Sequence, residues 1–229
     1  MADTHSLDAI EILKSLAPAA RRALVQRCRW KNWAPDEQIF DRDTEGNDVY
    51  LVTAGAVRIV NYGITGREVS FDDVPAGGSF GELAAIDGGK RSANVVAVAP
   101  TTTAVLTAKA FQDLLHEHPA VTVACLERLA RIVRASTGRI MDLSTLGAHN
   151  RIYAELLRLA RAAGGKGNEG VLKPIPNHSD IAARVSTTRE TVARVLSDLQ
   201  RSGLVRREKD GLAIADLKRL SAMVEQFHD

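Results

Sequence analysis

The chain has few cysteines and no long apolar run, and each scarcity excludes a class of protein. Its two cysteines, Cys28 and Cys125, lie far apart without metal-binding spacing, so we expect a reduced, cytoplasmic protein. The N-terminus "MADTHSLDAI" lacks the basic and then apolar pattern of a secretory signal. No run approaches the ~18 apolar residues that a membrane span needs, so no membrane partner is expected.

The net charge is only +2 over 229 residues, which by itself implies no partner. The charge is uneven, however. Residues 150–229 carry 14 Lys and Arg against 10 Asp and Glu, whereas the rest of the chain carries 16 against 18. A basic C-terminal third is a feature of chains that approach nucleic acid.

Residue types that carry metal or catalytic chemistry are present without a recognisable arrangement. His116 and His118 are two apart at a predicted helix end, and His149 and His178 are isolated. Neither a Ser-His-Asp set nor paired carboxylates can be recognised. We therefore expect no metal and no enzyme activity, with a metal site and an enzyme kept as alternatives.

Residues 1–118 alternate short strand-like runs with turn signals after an opening helical pattern. Runs such as "DVYLVTA", "AVRIVNY" and "NVVAVA" are separated by "TEGN", "GITG" and "PAGG". Many short strands at this spacing predict an antiparallel β-barrel, or jelly roll, with flanking helices.

Residues 119–147 predict one long helix with an apolar seam. Leu126, Val133 and Ile140 recur every seven residues, and Leu129, Ser136 and Leu143 follow each of them by three. Such a seam is typical of a dimerisation helix, although an ordinary core-facing helix remains open. "STGR" (136–139) places hydroxyl side chains and a glycine in mid-helix, where they are poor helix formers.

Residues 148–229 predict a winged helix-turn-helix. "NRIYAELLRLARAA" is an amphipathic helix, and helices are expected over Asp180–Val185 and Arg189–Gln200, joined by the turn "STT". "GLVRREKDGLAIA" then predicts two short strands around a Lys-Asp-Gly turn. The chain as a whole is therefore of the α+β class.

The stretch "FGELAAIDGGKRSANV" concentrates an acid, an arginine and glycines in a strand-rich region. Gly81 allows close backbone approach, Arg91 matches a phosphate, and Glu82 could accept a hydrogen bond from a sugar hydroxyl. Together these residues predict a site for a nucleotide with one phosphate. The residues alone leave open a plain surface ion pair between Glu82 and Arg91.

Two motifs resemble one protein family. "GGSFGELAAIDGGKRSA" resembles the phosphate-binding cassette of cyclic-nucleotide-binding domains. "STTRETVARVLSDLQRSGLV" resembles the recognition helix and following strand of the catabolite activator (cyclic-AMP receptor) family of bacterial transcription regulators. The resemblance covers nearly the whole chain, in the same order.

The resemblance implies a set of ligand contacts and an effector. Contacts to ribose, cyclic phosphate and purine are implied for Gly81, Glu82, Leu83, Arg91, Ser92, Ser136 and Thr137. The implied effector is cyclic AMP. Cyclic GMP stays open because a hydroxyl can donate or accept, and so does a regulator of the same fold that binds no ligand.

The third segment carries the expected DNA contacts. The start of the second predicted helix holds arginine and glutamate side chains that can read bases. An arginine can donate to O6 and N7 of guanine, and a carboxylate can accept a hydrogen bond from N4 of cytosine. The predicted DNA-binding residues are Ser186, Thr187, Thr188, Arg189, Glu190 and Arg194. The family implies a homodimer on double-stranded DNA with TGTGA-like half-sites, ligand binding coupled to DNA binding, and contact with RNA polymerase.

Overall fold

The computed structural model describes residues 5–64, 66, 68–164 and 167–225. Contacts within the chain divide it into two compact units, with the boundary between Ile132 and Val133. Each unit has its own hydrophobic core. No helix of the described residues is long and apolar enough to cross a membrane.

The described part of the first unit holds eight β-strands in two antiparallel sheets. The strands are β1 (Arg29–Trp33), β2 (Gln38–Phe40), β3 (Val49–Ala54), β4 (Ala56–Tyr62), β5 (Glu68–Pro75), β6 (Ser79–Phe80), β7 (Asn94–Ala97) and β8 (Thr101–Leu106). One sheet has the order β1-β8-β3-β6 and the other β2-β7-β4-β5. Most neighbours in a sheet are therefore distant in sequence.

Apolar side chains of both sheets meet in one core. Val52, Phe80 and Val105 come from the first sheet, and Val57 and Val95 from the second. The predicted antiparallel jelly roll is confirmed, with one difference: the strands form two facing sheets and not a closed barrel. A short edge strand such as β6, with two residues, offers too few hydrogen bonds for closure.

Helices cover the other face of the β1-β8-β3-β6 sheet. They are a 3₁₀ helix (Glu11–Leu13), α1 (Pro18–Val25), α2 (Glu82–Asp87) and α3 (Ala108–Glu117). Leu13 and Phe111 pack with Val49 and Leu51 of β3, whose side chains point away from the core between the sheets. Pro18 is the first residue of α1, where its missing N–H is harmless.

Helix α4 (Pro119–Thr145) is 27 residues long and begins at the predicted proline. The boundary between the two units falls inside it. The seam residues Leu126, Val133 and Ile140 are 60%, 63% and 62% exposed in the single chain. The division into 1–118, 119–147 and 148–229 stays a prediction.

The described part of the second unit continues with four helices and a three-stranded sheet of order β10-β11-β9. Its elements are α5 (Ala148–Ala162), β9 (Gly170–Leu172), α6 (His178–Arg184), α7 (Arg189–Arg201), β10 (Val205–Arg207), β11 (Leu212–Ile214) and α8 (Leu217–Glu225). The predicted winged helix-turn-helix outline is present. Helix α6 begins two residues earlier than expected because Asn177 Oδ1 accepts a hydrogen bond from the Ser179 N–H. Strand β9 and helix α8 were not predicted.

Candidate functional site

The turn from β6 into α2 requires glycine. Gly81 has φ of +84°, a left-handed conformation that other residues rarely adopt. A Cβ at this position would lie 2.8 Å from Arg91 Nη1 and 2.8 Å from the carbonyl oxygen of Asp48. The glycine thus lets the backbone approach the arginine closely.

Arg91 is held in a buried position by carbonyl groups and an aromatic ring. Nη1 donates to the Gly81 carbonyl oxygen at 3.0 Å, and Nη2 donates to that of Asp48 at 2.9 Å. The guanidinium carbon lies 4.2 Å from the centre of the Phe40 ring. Only 4% of the residue is exposed. Burial lowers the pKa of Arg91 from its ordinary value, against the effect of Tyr50 and of nearby acids.

Glu82, the first residue of α2, is a buried carboxylate with an unused oxygen. It is 6% exposed, and Oε2 has no hydrogen-bond partner among the described residues. Burial raises the pKa of Glu82, while Arg128, its own backbone N–H and Arg91 act in the opposite direction. Among the described side chains no direct ion pair joins Glu82 to Arg91. The alternative of a surface ion pair between them is therefore wrong, because both groups are buried.

Helix α4 adds a second arginine to this site. Arg128 Nη2 donates to the carbonyl oxygen of Ser79 at 2.5 Å, and its buried Nε has no partner among the described residues. Arg128 follows the buried Cys125 by three residues, and Cys125 belongs to the hydrophobic core of the first unit. The seam pattern drew attention to apolar positions and therefore missed it, although the spacing from Cys125 was a usable signal.

The turn of the helix-turn-helix is built by three hydroxyl residues. Ser186 has φ of +51°, and the N–H of the buried Thr187 donates to the Ala182 carbonyl oxygen at 3.0 Å. Thr188 Oγ1 accepts from the Thr191 N–H at 3.2 Å and caps α7. The predicted turn and cap therefore both form.

Helix α7 has one buried and one exposed face. Its buried residues are Val192, Val195, Leu196 and Leu199, whereas Arg189, Glu190 and Arg194 are exposed. Hydrogen bonds from the backbone N–H of Glu190 itself and from Thr188, with the Arg189 charge, lower the pKa of Glu190. The carboxylate thus stays ionised and can accept hydrogen bonds.

Arg151 of α5 donates hydrogen bonds to backbone carbonyl groups in the turn of the helix-turn-helix. Nε donates to the Val185 carbonyl oxygen at 2.8 Å, and Nη2 to that of Ser186 at 3.2 Å. Nη1 donates to the Leu146 carbonyl oxygen at 2.8 Å, just after the end of α4. One side chain therefore joins the α4–α5 junction to the turn that precedes α7.

Comparison with known proteins finds a matching family model for the N-terminal part and another for the C-terminal part of the chain. The family model of the cyclic nucleotide-binding domain matches residues 30–118, and that of the Crp-like helix-turn-helix domain matches residues 150–223. The cyclic AMP receptor protein of Thermus thermophilus is 35% identical over 168 residues, which cover 73% of this chain and 75% of that protein.

The chain belongs to the cyclic-AMP receptor family. The CRP-like cAMP-activated global transcriptional regulator of Mycobacterium tuberculosis is 26% identical over 212 residues, 92% of this chain and 94% of that protein. A CooA mutant from Carboxydothermus hydrogenoformans has the same fold, with a TM-score of 0.81, 23% identity and coverage of 98% of this chain and 97% of that one.

This family member is a cyclic-nucleotide-binding, DNA-binding transcription regulator and not an enzyme. The family predicted from the sequence is thereby confirmed. Among the described residues, no group of three or more His, Cys, Asp or Glu side chains could hold a metal ion.

The regulator's structure brings only part of the predicted site together. Gly81, Glu82 and Arg91 are in contact or close to one another, as described above. Leu83 is 45% exposed on α2, and the side chain of Ser92 is exposed beside Arg91.

Ser136 and Thr137 belong to the other unit of the regulator, where both are exposed and Thr137 Oγ1 donates to the Val133 carbonyl oxygen at 3.0 Å. The ligand and DNA contacts assigned from the sequence remain predictions. Arg128 and Arg151 are the residues that sequence reasoning missed.

Proposed function

We propose that this regulator binds cyclic AMP and that binding controls how tightly its homodimer holds a two-fold symmetric DNA site with TGTGA-like half-sites. The observation that carries the proposal is the pair of buried, opposite charges of Arg91 and Glu82, with no direct ion pair between them. A buried charge without a counter-charge is costly. An anionic ligand that also carries a hydroxyl group would satisfy both.

Cyclic AMP has the groups that these side chains need. Its phosphate would lie at Arg91 and Ser92, and its ribose at Gly81, Glu82 and Leu83. Ser136 and Thr137 would face the purine. The names of the relatives from Thermus thermophilus and Mycobacterium tuberculosis both refer to cyclic AMP, which favours it over cyclic GMP.

The homodimer would form along the seam of α4. Leu126, Val133, Ile140 and Leu143 are large apolar residues exposed in the single chain, and a second copy of α4 would bury them. The seam is interrupted at Ser136. A ligand that contacts α4 there would strengthen the dimer locally and favour DNA binding.

The DNA contacts would come from the exposed face of α7. Arg189 and Glu190 lie in its first turn, the part of such a helix that enters the major groove. Ser186, Thr187 and Thr188 would contact phosphates, and Arg194 would reach a further base. We also propose that the regulator contacts RNA polymerase. We place it in the cytoplasm, where DNA and RNA polymerase are found.

Titration calorimetry tests the proposal. Cyclic AMP and cyclic GMP are titrated into the purified protein with and without operator DNA. Operator DNA should tighten cyclic AMP binding by the same factor by which cyclic AMP tightens operator binding. Tighter binding of cyclic GMP would favour that effector instead. The absence of binding heat and of any rise in thermal midpoint with either nucleotide would identify a regulator that binds no ligand.

A further inference from the structure

Helix α5 carries a buried carboxylate that pairs with arginines of two different helices. Glu155 is 5% exposed. Arg158, three residues later on the same helix, donates from Nε to Glu155 Oε2 at 2.9 Å, and its side chain is 45% exposed. Arg184, the last residue of α6, places Nη1 3.6 Å from Glu155 Oε1, and its side chain is only 13% exposed. The pair with Arg184 therefore joins two helices, whereas the pair with Arg158 lies within one.

Side chains of α5 hold three consecutive residues of the helix-turn-helix. Arg151 donates to the carbonyl oxygens of Val185 and Ser186. Glu155, one helical turn further along α5, pairs with Arg184. Helix α7 begins three residues after Ser186. The way in which residues 184–186 sit on α5 therefore sets the direction in which α7 starts.

The buried pair suits a role in orientation better than a role in stability. Burying an ion pair gains little stability, because both charges lose their contact with water. Ile152 of α5 and Ile181 of α6 already belong to one apolar core. Apolar contacts have no direction, so they tolerate small rotations of one helix on another. An ion pair, in contrast, forms only where its two charged groups meet.

We propose that Glu155 is a positioning residue for operator recognition, which acts through Arg184 to fix the helix-turn-helix on α5. The inference needs only the DNA binding of the family, and neither the proposed effector nor the proposed half-site. Hydrogen bonds to base edges require α7 to be aligned in the groove, whereas phosphate contacts carry no sequence information. A loosened turn should therefore lose its preference for the operator before it loses affinity for DNA.

The test compares two DNA duplexes by fluorescence anisotropy: one that the wild-type protein selects from a random pool, and a scrambled duplex of the same composition. Glu155→Gln should bind the selected duplex about tenfold more weakly and the scrambled duplex almost as tightly as the wild type does. Arg158→Gln is the matched control, because it removes the partner within α5 and leaves the link to α6. This variant should keep the full preference for the selected duplex.

A double variant separates orientation from the cost of a buried charge. Glu155→Leu combined with Arg184→Met removes both charges at once, so its thermal midpoint should stay close to that of the wild type. Its preference for the selected duplex should nevertheless be low, and it decides alone if Glu155→Gln does not fold. The inference is overturned if Glu155→Gln retains the preference or weakens binding to both duplexes equally. It is also overturned if Arg158→Gln loses the preference or the double variant has that of the wild type.

Discussion

Arg151 Nε donates to the carbonyl oxygen of Val185, 2.8 Å away, at the start of the turn that leads into α7. The same guanidinium also binds carbonyl oxygens of Ser186 and Leu146. Leu146 directly follows α4, so the end of that helix and the turn before α7 share one side chain. Three charge-assisted hydrogen bonds define their relative position more tightly than apolar packing could.

We predict that Arg151→Lys weakens operator binding about tenfold, since an ammonium group cannot reach three carbonyl groups in the planar geometry of a guanidinium. The dissociation constant for operator DNA is measured by fluorescence anisotropy. Arg161→Lys, an exposed arginine on the same helix, is the control and should bind like the wild type. Wild-type affinity in Arg151→Lys would mean that these hydrogen bonds do not position α7.

Arg91→Ala should remove most cyclic-nucleotide affinity while the protein stays folded. A shielded, charge-assisted contact to phosphate contributes about 1.5–3 kcal/mol. Calorimetry with cyclic AMP measures the loss. Lys90→Ala, which removes the adjacent but exposed cation, is the matched control and should bind normally. The phosphate assignment is wrong if the two variants bind alike.

The stability of the ligand-free protein should depend on pH through Glu82. Burial raises the pKa of this carboxyl above the ordinary 4.5, so the folded state holds the proton to higher pH than the unfolded state. Stability is therefore lost as the pH rises through the folded-state pKa. Glu82→Gln, which cannot ionise, should exceed the wild type in unfolding free energy at neutral pH, with a difference that shrinks as the pH falls toward 4.5. Urea unfolding of both proteins at several pH values measures this, and a difference that does not change with pH would contradict it.

The α4 seam should hold the dimer together. Val133→Asp places a charge on the exposed seam, where desolvating it against a second copy is unfavourable. We expect sedimentation velocity to show a monomer and operator affinity to fall. Met141→Asp, equally accessible but off the seam at 56% exposure, should remain a dimer. A dimer in both variants would exclude this face of α4 as the interface.

Base recognition should lie with α7 and not with the wing, the strands β10 and β11 with their connecting turn. Arg189→Ala and Arg194→Ala should each cost about 1–3 kcal/mol on a matched site and relax the preference at one guanine. Alanine at the exposed Arg206, Arg207 or Lys209 of the wing should weaken binding to all sequences alike and flatten its salt dependence. Binding-site selection with each variant distinguishes the two effects. A base preference that Arg189→Ala leaves unchanged would show that α7 does not read bases.

Local signals in the sequence were sufficient to predict most of the helices and strands and to identify the family. Pro119 marks the start of α4, Thr188 caps α7, and the glycines around Glu82 and Arg91 shape the cassette, because each acts through residues a few positions away. Helix α8 and strand β9 were not predicted, because they depend on contacts with segments far away in the sequence. The β9 strand is three residues long and forms by pairing with β11, which is 40 residues further along the chain.

By itself, then, the sequence determined most of the helices and strands, the two motifs and the residue types available at each. The tertiary structure alone decided which charges are buried and which atoms are left without partners. Arg91 and Glu82 are nine residues apart, and only folding shows that both are buried without pairing. Arg128 comes to the same site from a helix far along the chain, where its neighbours depend on packing and not on local sequence. Burial and hydrogen bonding are relationships between distant segments, so no local pattern can specify them.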